Sequence, residues 1–217
     1  MTFNAFAVCQ TFLFGLCLFI LSPGCLAAEK TLSCVYANKS EESSLALHND
    51  CARWQNGQIV MHPRHIEQLY TNHLGLTAIL IDGQFYYYNP KTEAFLPVIA
   101  FDNWADNFSD GLVRSSIEGK MAFYDQHFRQ VIPPRYDFAS PFYSGYAVVC
   151  LGCHIDRSPR DHSGCDHHPL VGGLWGYIDK EGNEIVPLSF TPENIDNHAP
   201  LIIRKGPFPT MNWPEKF

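Results

Sequence analysis

Residues 150 to 169, CLGCHIDRSPRDHSGCDHHP, bring together three cysteines and four histidines. Thiolate sulfur and imidazole nitrogen are common metal ligands, and two thiols can also join as a disulfide. This stretch therefore points to one of three chemistries: a metal site, a covalently attached haem, or a loop closed by a disulfide.

The metal alternatives use overlapping residues. Cys150, Cys153 and His154 form CXXCH, the attachment pattern of c-type haem. Haem needs an apolar surrounding, yet Ile155 is the only aliphatic residue between positions 154 and 168. The spacing also allows a tetrahedral zinc site, with His162 and His168 as further candidate ligands. Its first candidate ligands are Cys150, Cys153, Cys165 and His167.

A disulfide-closed loop is the interpretation we favour. The disulfide candidates after residue 28 are Cys34, Cys51, Cys150, Cys153 and Cys165. A bond from Cys34 to Cys51 would close a loop of about 17 residues, which stabilises by roughly 3 kcal/mol in the chain-entropy account. Two of the other three would pair, and the sequence leaves Cys153 with Cys165 and Cys150 with Cys153 both open.

The N-terminus predicts export, which is the setting in which such disulfides persist. Residues 1–28 carry no charged side chain, contain the apolar run FLFGLCLFIL, and end in two alanines suited to cleavage before Glu29. We therefore expect a signal peptide over residues 1–28, a periplasmic or secreted protein, and no transmembrane span after cleavage. A lipid anchor at Cys25 is the alternative.

Composition and motifs argue against several function classes. The formal net charge is −7, and Lys and Arg are scattered without a basic run, so nucleic acid is not an expected partner. We found no GXSXG, HEXXH, P-loop or helix-opening GXGXXG pattern. We therefore expect no enzyme activity and no cofactor, with zinc or haem as the alternatives above. The acidic segment 102–111 is interpreted as a solvated connection.

Internal repeats predict the architecture. The segment GQFYYYNPKTEAFLP (83–97) aligns with GKMAFYDQHFRQVIP (119–133) at a shift of 36, and GLWGYIDKEGNEIVP (173–187) aligns with the latter at a shift of 54. The longer shift reflects about twenty residues inserted between Val149 and Gly173. A fainter copy lies N-terminal to these. The Cys/His-rich stretch is therefore an insertion into a repeat array.

Each copy has the pattern of paired strands. Aromatic and β-branched residues flank short turns such as DKEG (179–182), and a proline follows at positions 97, 133 and 187, where we expect each strand to stop. Helical periodicity is confined to residues 66–74. We predict an all-β fold of repeated antiparallel hairpin units, stacked or wrapped into one domain because a lone hairpin cannot bury its apolar face.

The last copy, GGLWGYIDKEGNEIVP, resembles the WG or KWG repeat, and VIPPRYDFASPFYSGYAVV (131–149) is similar to the linker between such repeats. The resemblance covers roughly residues 50–205 and implies about three to four repeats. It also implies a bacterial β-repeat scaffold that binds a protein or an envelope component, and it brings no catalytic residues. The expected repeat-core residues are Trp175, Gly176, Tyr177, Gly182, Pro187, Tyr136, Pro133, Phe142 and Gly145.

Two local predictions follow from strand geometry. Trp175 should fill a core slot, and Gly176 should let a neighbouring strand or ring approach closely. Side chains alternate along a strand, so Tyr87 should point opposite to Tyr86 and Tyr88, and at least one of the three should lie on a surface or groove.

The predicted organisation is a signal peptide (1–28), an N-terminal segment (29–50), and a β-repeat domain (51–217) with the insertion at about 150–172. The expected function is that of a non-enzymatic exported scaffold, which binds its partner through its surface and the inserted loop. A thiol-redox role for Cys150 and Cys153 ranks last, because the βαβ context typical of such motifs is missing.

Overall fold

The computed structural model describes residues 30–157 and 169–204, and this part of the chain is built from antiparallel sheets. Strands account for 59% and helices for 7%, so the all-β prediction is confirmed. These described residues form four consecutive units of three strands each. Every unit is a meander in which the middle strand pairs with both of its neighbours.

Units 1 and 2 share one six-stranded sheet in the order β3-β2-β1-β4-β5-β6. The strands of unit 1 are β1 (Thr31–Asn38), β2 (Glu41–Gln55) and β3 (Gln58–Met61), and the short helix α1 (Pro63–Ile66) follows. Those of unit 2 are β4 (Thr77–Ile81), β5 (Gln84–Asn89) and β6 (Ala94–Val98), followed by the small hairpin β7 (Ala100–Phe101) and β8 (Trp104–Ala105).

Units 3 and 4 form separate sheets. Unit 3 contains β9 (Leu112–Ile117), β10 (Lys120–Asp125) and β11 (Gln130–Tyr136). The short strand β12 (Phe138–Ala139) pairs with unit 4, whose strands are β13 (Tyr146–Ile155), β14 (Leu170–Asp179) and β15 (Glu184–Phe190). A 3-10 helix (Ile195–His198) and α2 (Leu201–Arg204) complete the described chain.

Equivalent turns carry equivalent chemistry in units 3 and 4. The carboxylates of Asp125 and Asp179 each accept two backbone N–H groups of their own turn. Phe128 has φ 62° where Gly182, the last residue of the turn 179–182, has φ 86°, so both turns take the left-handed conformation at this position. The repeat at a shift of 54 is therefore a structural repeat as well.

The core is divided among the junctions between units. One buried cluster joins units 1 and 2, a second joins units 2 and 3, and a third joins units 3 and 4. The fourth lies on the far face of unit 4, where Ile195, Ala199 and Ile203 of the C-terminal segment cover it. Each unit thus packs on its sequence neighbours, the arrangement expected of a stacked repeat.

Several local expectations need correction. The prolines do not end their strands, because Pro97, Pro133 and Pro187 lie inside β6, β11 and β15 on exposed positions. The helix falls at Pro63–Ile66 rather than within 66–74, since His62 caps it and proline occupies its first turn. The boundary expected at residue 50 lies inside β2, so residues 31–50 are part of unit 1.

The tyrosine prediction holds in one respect and fails in another. Tyr87 belongs to the cluster between units 2 and 3, whereas Tyr88 belongs to the cluster between units 1 and 2, so the alternation is confirmed. Both side chains are nevertheless buried and Tyr86 is half-buried, because each face of β5 meets a different neighbouring unit. Burial raises the pKa of Tyr87 to about 12, with the nearby Asp106 adding to the effect.

Candidate binding surface at the inserted hairpin

The insertion lengthens the first hairpin of unit 4. Strands β13 and β14 have 10 residues each, whereas β9 and β10 of unit 3 have 6. We call the added part, residues 152–155 paired with 170–173, the arm. Cys150 and Cys153 both lie within β13, so the insertion begins inside a strand.

Cys150 and Cys153 form a disulfide, with 6.1 Å between their Cα atoms. Cys34 and Cys51 also form a disulfide, with 5.9 Å between Cα atoms, which joins β1 to β2. Of the pairings left open for the insertion, Cys150 with Cys153 is therefore the one present. Two disulfides indicate an oxidising, extracytoplasmic environment.

Asp137 holds the backbone of the Cys150–Cys153 segment. Its carboxylate accepts the Gly152 N–H at 2.7 Å, and its own N–H donates to the Cys150 carbonyl at 2.9 Å. Lys120 of unit 3 donates to the other carboxylate oxygen at 2.6 Å. These hydrogen bonds, that of Lys120 first, lower the pKa of Asp137. The start of the arm is thus tied to unit 3.

Glycines allow the disulfide to lie against β14. A Cβ on Gly173 would stand 2.6 Å from the Cys150 sulfur and 2.5 Å from the Cys153 nitrogen, so only glycine fits there. Next to it, the Trp175 indole N–H donates to the Gly172 carbonyl at 2.8 Å. Gly152, Gly172 and Gly173 all have positive φ, and Gly152 and Gly173 are missing from the ladder, although the register of β13 and β14 is the same on either side of them. The base of the arm is therefore a local interruption of the ladder that the glycine conformations allow.

The arm exposes apolar and imidazole groups. Ile155 is 50% exposed, and Leu174, paired with Leu151 at the base of the arm, is 51% exposed. His154 is also exposed and packs near Gly172. An apolar surface on a fixed base is suited to contact with a macromolecular partner.

The predicted metal ligands divide between described and undescribed residues. Cys165, His162, His167 and His168 lie outside the described residues, as does Cys25. Within the ranges 30–157 and 169–204, no group of three or more Cys, His, Asp or Glu side chains is arranged to hold a metal ion. Each sulfur of Cys150 and Cys153 bonds the other, and in that state neither is a thiolate ligand.

The expected repeat-core residues fall into two groups. Trp175, Tyr177, Tyr136 and Phe142 are at most 4% exposed. Pro133 and Pro187 are exposed, while Gly145 and Gly182 serve as turn residues with positive φ. Gly176 is buried beneath β15, where an added Cβ would stand 2.5 Å from the Val186 carbonyl oxygen.

The sequence did not predict two polar clusters that the structure contains. Asp106 and Arg114 form a buried ion pair with an Oδ1 to Nη2 distance of 2.6 Å, which corrects the interpretation of 102–111 as solvated throughout. His65 lies between Tyr36 and Arg64, which contact its two ring nitrogens. Asp106 lies 8 residues from its partner, and Tyr36 lies 29 residues from His65, so no short-range motif signals either cluster.

Among the residues that the structure describes, no helix is long and apolar enough to cross a membrane. This finding concerns helices of those residues alone.

A family model for the WG containing repeat matches residues 121–152 and 175–191. The first range runs from β10 to Gly152 and the second from Trp175, within β14, to the end of β15, so the match leaves out residues 153–174. No curated protein and no solved structure matches the chain. The matched residues lie in units 3 and 4, and the chain is therefore a β protein that contains WG repeats, found over residues 121–191.

Proposed function

We propose that this protein is a non-enzymatic exported scaffold that binds a protein or a cell-envelope component through the arm and the adjoining surface. The observation that carries the proposal is the departure of the arm from the repeat pattern. Unit 3 closes the equivalent hairpin with the two-residue turn Glu118-Gly119, so the fold itself does not require the longer strands of unit 4.

The way the arm is held supports a binding role. A disulfide, the Asp137 carboxylate and the Trp175 indole all constrain its base. Constraining a surface before it meets a partner lowers the entropy lost on binding. Ile155 and Leu174 then supply apolar area that the fold leaves exposed.

Export supports the same proposal. The two disulfides indicate an oxidising environment, and the uncharged apolar N-terminus is typical of a signal peptide cleaved before Glu29. We infer a periplasmic or secreted location. Intact mass of the exported protein tests this point, since it should correspond to residues 29–217 with the hydrogens of two disulfides removed.

Photo-crosslinking in the native host tests the binding role. A photoreactive amino acid at Ile155 or Leu174 should give a discrete adduct of higher mass, whereas the same group at Phe101, which is 38% exposed and outside the arm, should not. With the photoreactive group at Leu174, the variant Ile155→Lys should fold, because Ile155 is 50% exposed, and should lose the adduct. Adducts that persist in that variant, or equal labelling from Phe101, would refute a role for the arm.

A further inference from the structure

Strand β2 has a free edge at its first half. Strand β3 pairs only with residues 52–55 of β2, while β1 pairs with residues 45–48 from the other side. In the described part of the chain no strand borders the outer edge of residues 44–49. Backbone N–H and C=O groups along such an edge can pair with another strand.

The edge carries the most exposed large apolar side chain of the described residues. Leu47 is 67% exposed, and Leu45 is 51% exposed. Across the sheet, Leu47 pairs with Val35, Val35 with Leu80, and Leu80 with Phe85. Leu47 is therefore the outer end of an apolar row that runs across one face of the six-stranded sheet.

This edge lacks the features that usually prevent strand pairing. Residues 43–49 read SSLALHN, with no Lys, Arg, Asp, Glu or Pro, and acidic residues bound the stretch at positions 42 and 50. Protected edges carry charges or proline. The stretch is also symmetric in character about Ala46, with leucine at 45 and 47 and polar residues at the flanking positions.

We propose that this edge pairs antiparallel with the same edge of a second copy, about a two-fold axis at Ala46. Two-fold pairing brings identical surfaces together, so the segment must complement itself. With Ala46 on the axis, Leu45 of one copy faces Leu47 of the other, and polar residues face polar residues on either side. Side chains directly opposite in a sheet lie on the same face. The two apolar rows then join, and the two six-stranded sheets become continuous.

Symmetry selects a second copy over an unrelated strand, because one sequence supplies both the apolar centre and the matching polar flanks. The uncharged stretch limits the pairing to seven residues from each copy. Such a contact buries less than the roughly 1,200 Å² typical of a stable interface, so the dimer should be weak and concentration-dependent.

Sedimentation equilibrium of the exported, disulfide-bonded protein tests the proposal over a concentration range of two decades. The mass should rise from one copy to two, and Leu47→Lys should hold the protein as a monomer. Leu201→Lys is the matched control, because Leu201 is 66% exposed but lies in α2. Both positions are exposed, so both variants should keep the wild-type circular dichroism. A wild-type protein that stays monomeric, or equal dissociation by both variants, would overturn the proposal.

Crosslinking tests the register. Directly opposite residues in an antiparallel pair have Cα atoms about 4.5 to 5.5 Å apart, which is within disulfide range. Ala46→Cys should therefore give an oxidised covalent dimer, and Leu201→Cys should not. If the wild type dimerises but Ala46→Cys fails to crosslink, the register about Ala46 is wrong. A dimer from Leu201→Cys alone would place the interface elsewhere.

Discussion

His65 is held in its neutral form by the groups around it. The Arg64 Nε–H donates to His65 Nε2 at 3.1 Å, and since arginine only donates, the ring proton must sit on Nδ1. Nδ1–H then donates to the Tyr36 hydroxyl at 2.7 Å. Burial lowers the pKa of His65, and Arg64, His48 and His62 lower it further. Protonation would cost the Arg64 hydrogen bond and add a cation beside the guanidinium.

This arrangement predicts a loss of stability in mild acid. Below pH of about 6.5 the unfolded chain binds a proton at residue 65 that the folded protein does not, so the free energy of unfolding should fall as pH decreases from 7 to 5. In His65→Gln this decrease in the free energy of unfolding should be smaller, even if the variant is less stable than the wild type at every pH. Urea unfolding at several pH values measures the slope. His73→Gln, at an exposed position, is the control and should keep the wild-type slope.

If His65→Gln and His73→Gln retain the same pH slope, His65 is not the group that couples folding to pH.

At the scale of the strand, the residue that follows Trp175, and its equivalents in units 2 and 3, decides whether the pairing of the second and third strands of a unit contains a bulge. In unit 4 the register of β14 and β15 skips between Trp175 and Tyr177, and the backbone of β15 closes over Gly176. Unit 3 has the same skip and places Ala122, which is fully buried, at this position. Unit 2 has Tyr86 there, and its pairing is unbroken. A small residue and a bulge occur together because the bulge occupies the space of a larger side chain.

Gly176→Ala should therefore destabilise the protein by about 2 kcal/mol or more, a value typical of forced overpacking. The added Cβ would stand 2.5 Å from the Val186 carbonyl oxygen and 3.0 Å from the Leu188 nitrogen, and both are backbone atoms that cannot rotate away. Thermal or urea unfolding measures the loss. Gly111→Ala controls for the removal of a glycine, because nothing lies within 4 Å of its added Cβ and only its φ of 84° is strained.

That control should lose about 1 kcal/mol from backbone strain alone. Equal losses at the two glycines would contradict a steric role for Gly176.

At the scale of the whole molecule, neighbouring units are joined by polar as well as apolar contacts. Arg114 of unit 3 binds both carboxylate oxygens of Asp106, which lies in the connection from unit 2. The same guanidinium donates to the Ala139 carbonyl on the way to unit 4, at 2.9 Å. One buried ion pair thus links three consecutive units.

Asp106→Asn should lower the free energy of unfolding by about 3 to 5 kcal/mol, since it leaves the Arg114 charge buried without a counterion. Asp106→Asn combined with Arg114→Met should recover part of the loss, because no unpaired charge remains. Chemical denaturation of the single and double variants measures both effects. Asp82→Asn, which breaks an exposed pair with Lys30, should change stability by less than about 1 kcal/mol.

A double variant as unstable as Asp106→Asn would show that the unpaired charge is not the cause of the loss.

The local sequence determined the unit. Period-two patterning, the turn residues and the self-similarity at shifts of 36 and 54 predicted stacked antiparallel meanders, and Gly176 was expected under a close approach. These features depend on residues a few positions apart, whose relative placement follows from strand and turn geometry. The prediction that prolines end the strands was wrong, because an exposed or bulged strand position tolerates a residue without an N–H.

Tertiary structure alone decided which distant groups meet. The five cysteines after residue 28 admit several pairings, and the bond from Cys150 to Cys153 spans Gly152, whose N–H donates to the carboxylate of Asp137, 15 residues earlier in the chain. Burial of Asp106 and the free edge of β2 likewise depend on which segments pack alongside them. The sequence shows which groups could pair, whereas packing between units sets the distances between those groups. For this reason, the disulfide of the insertion and the free edge of β2 could be identified only from the tertiary structure.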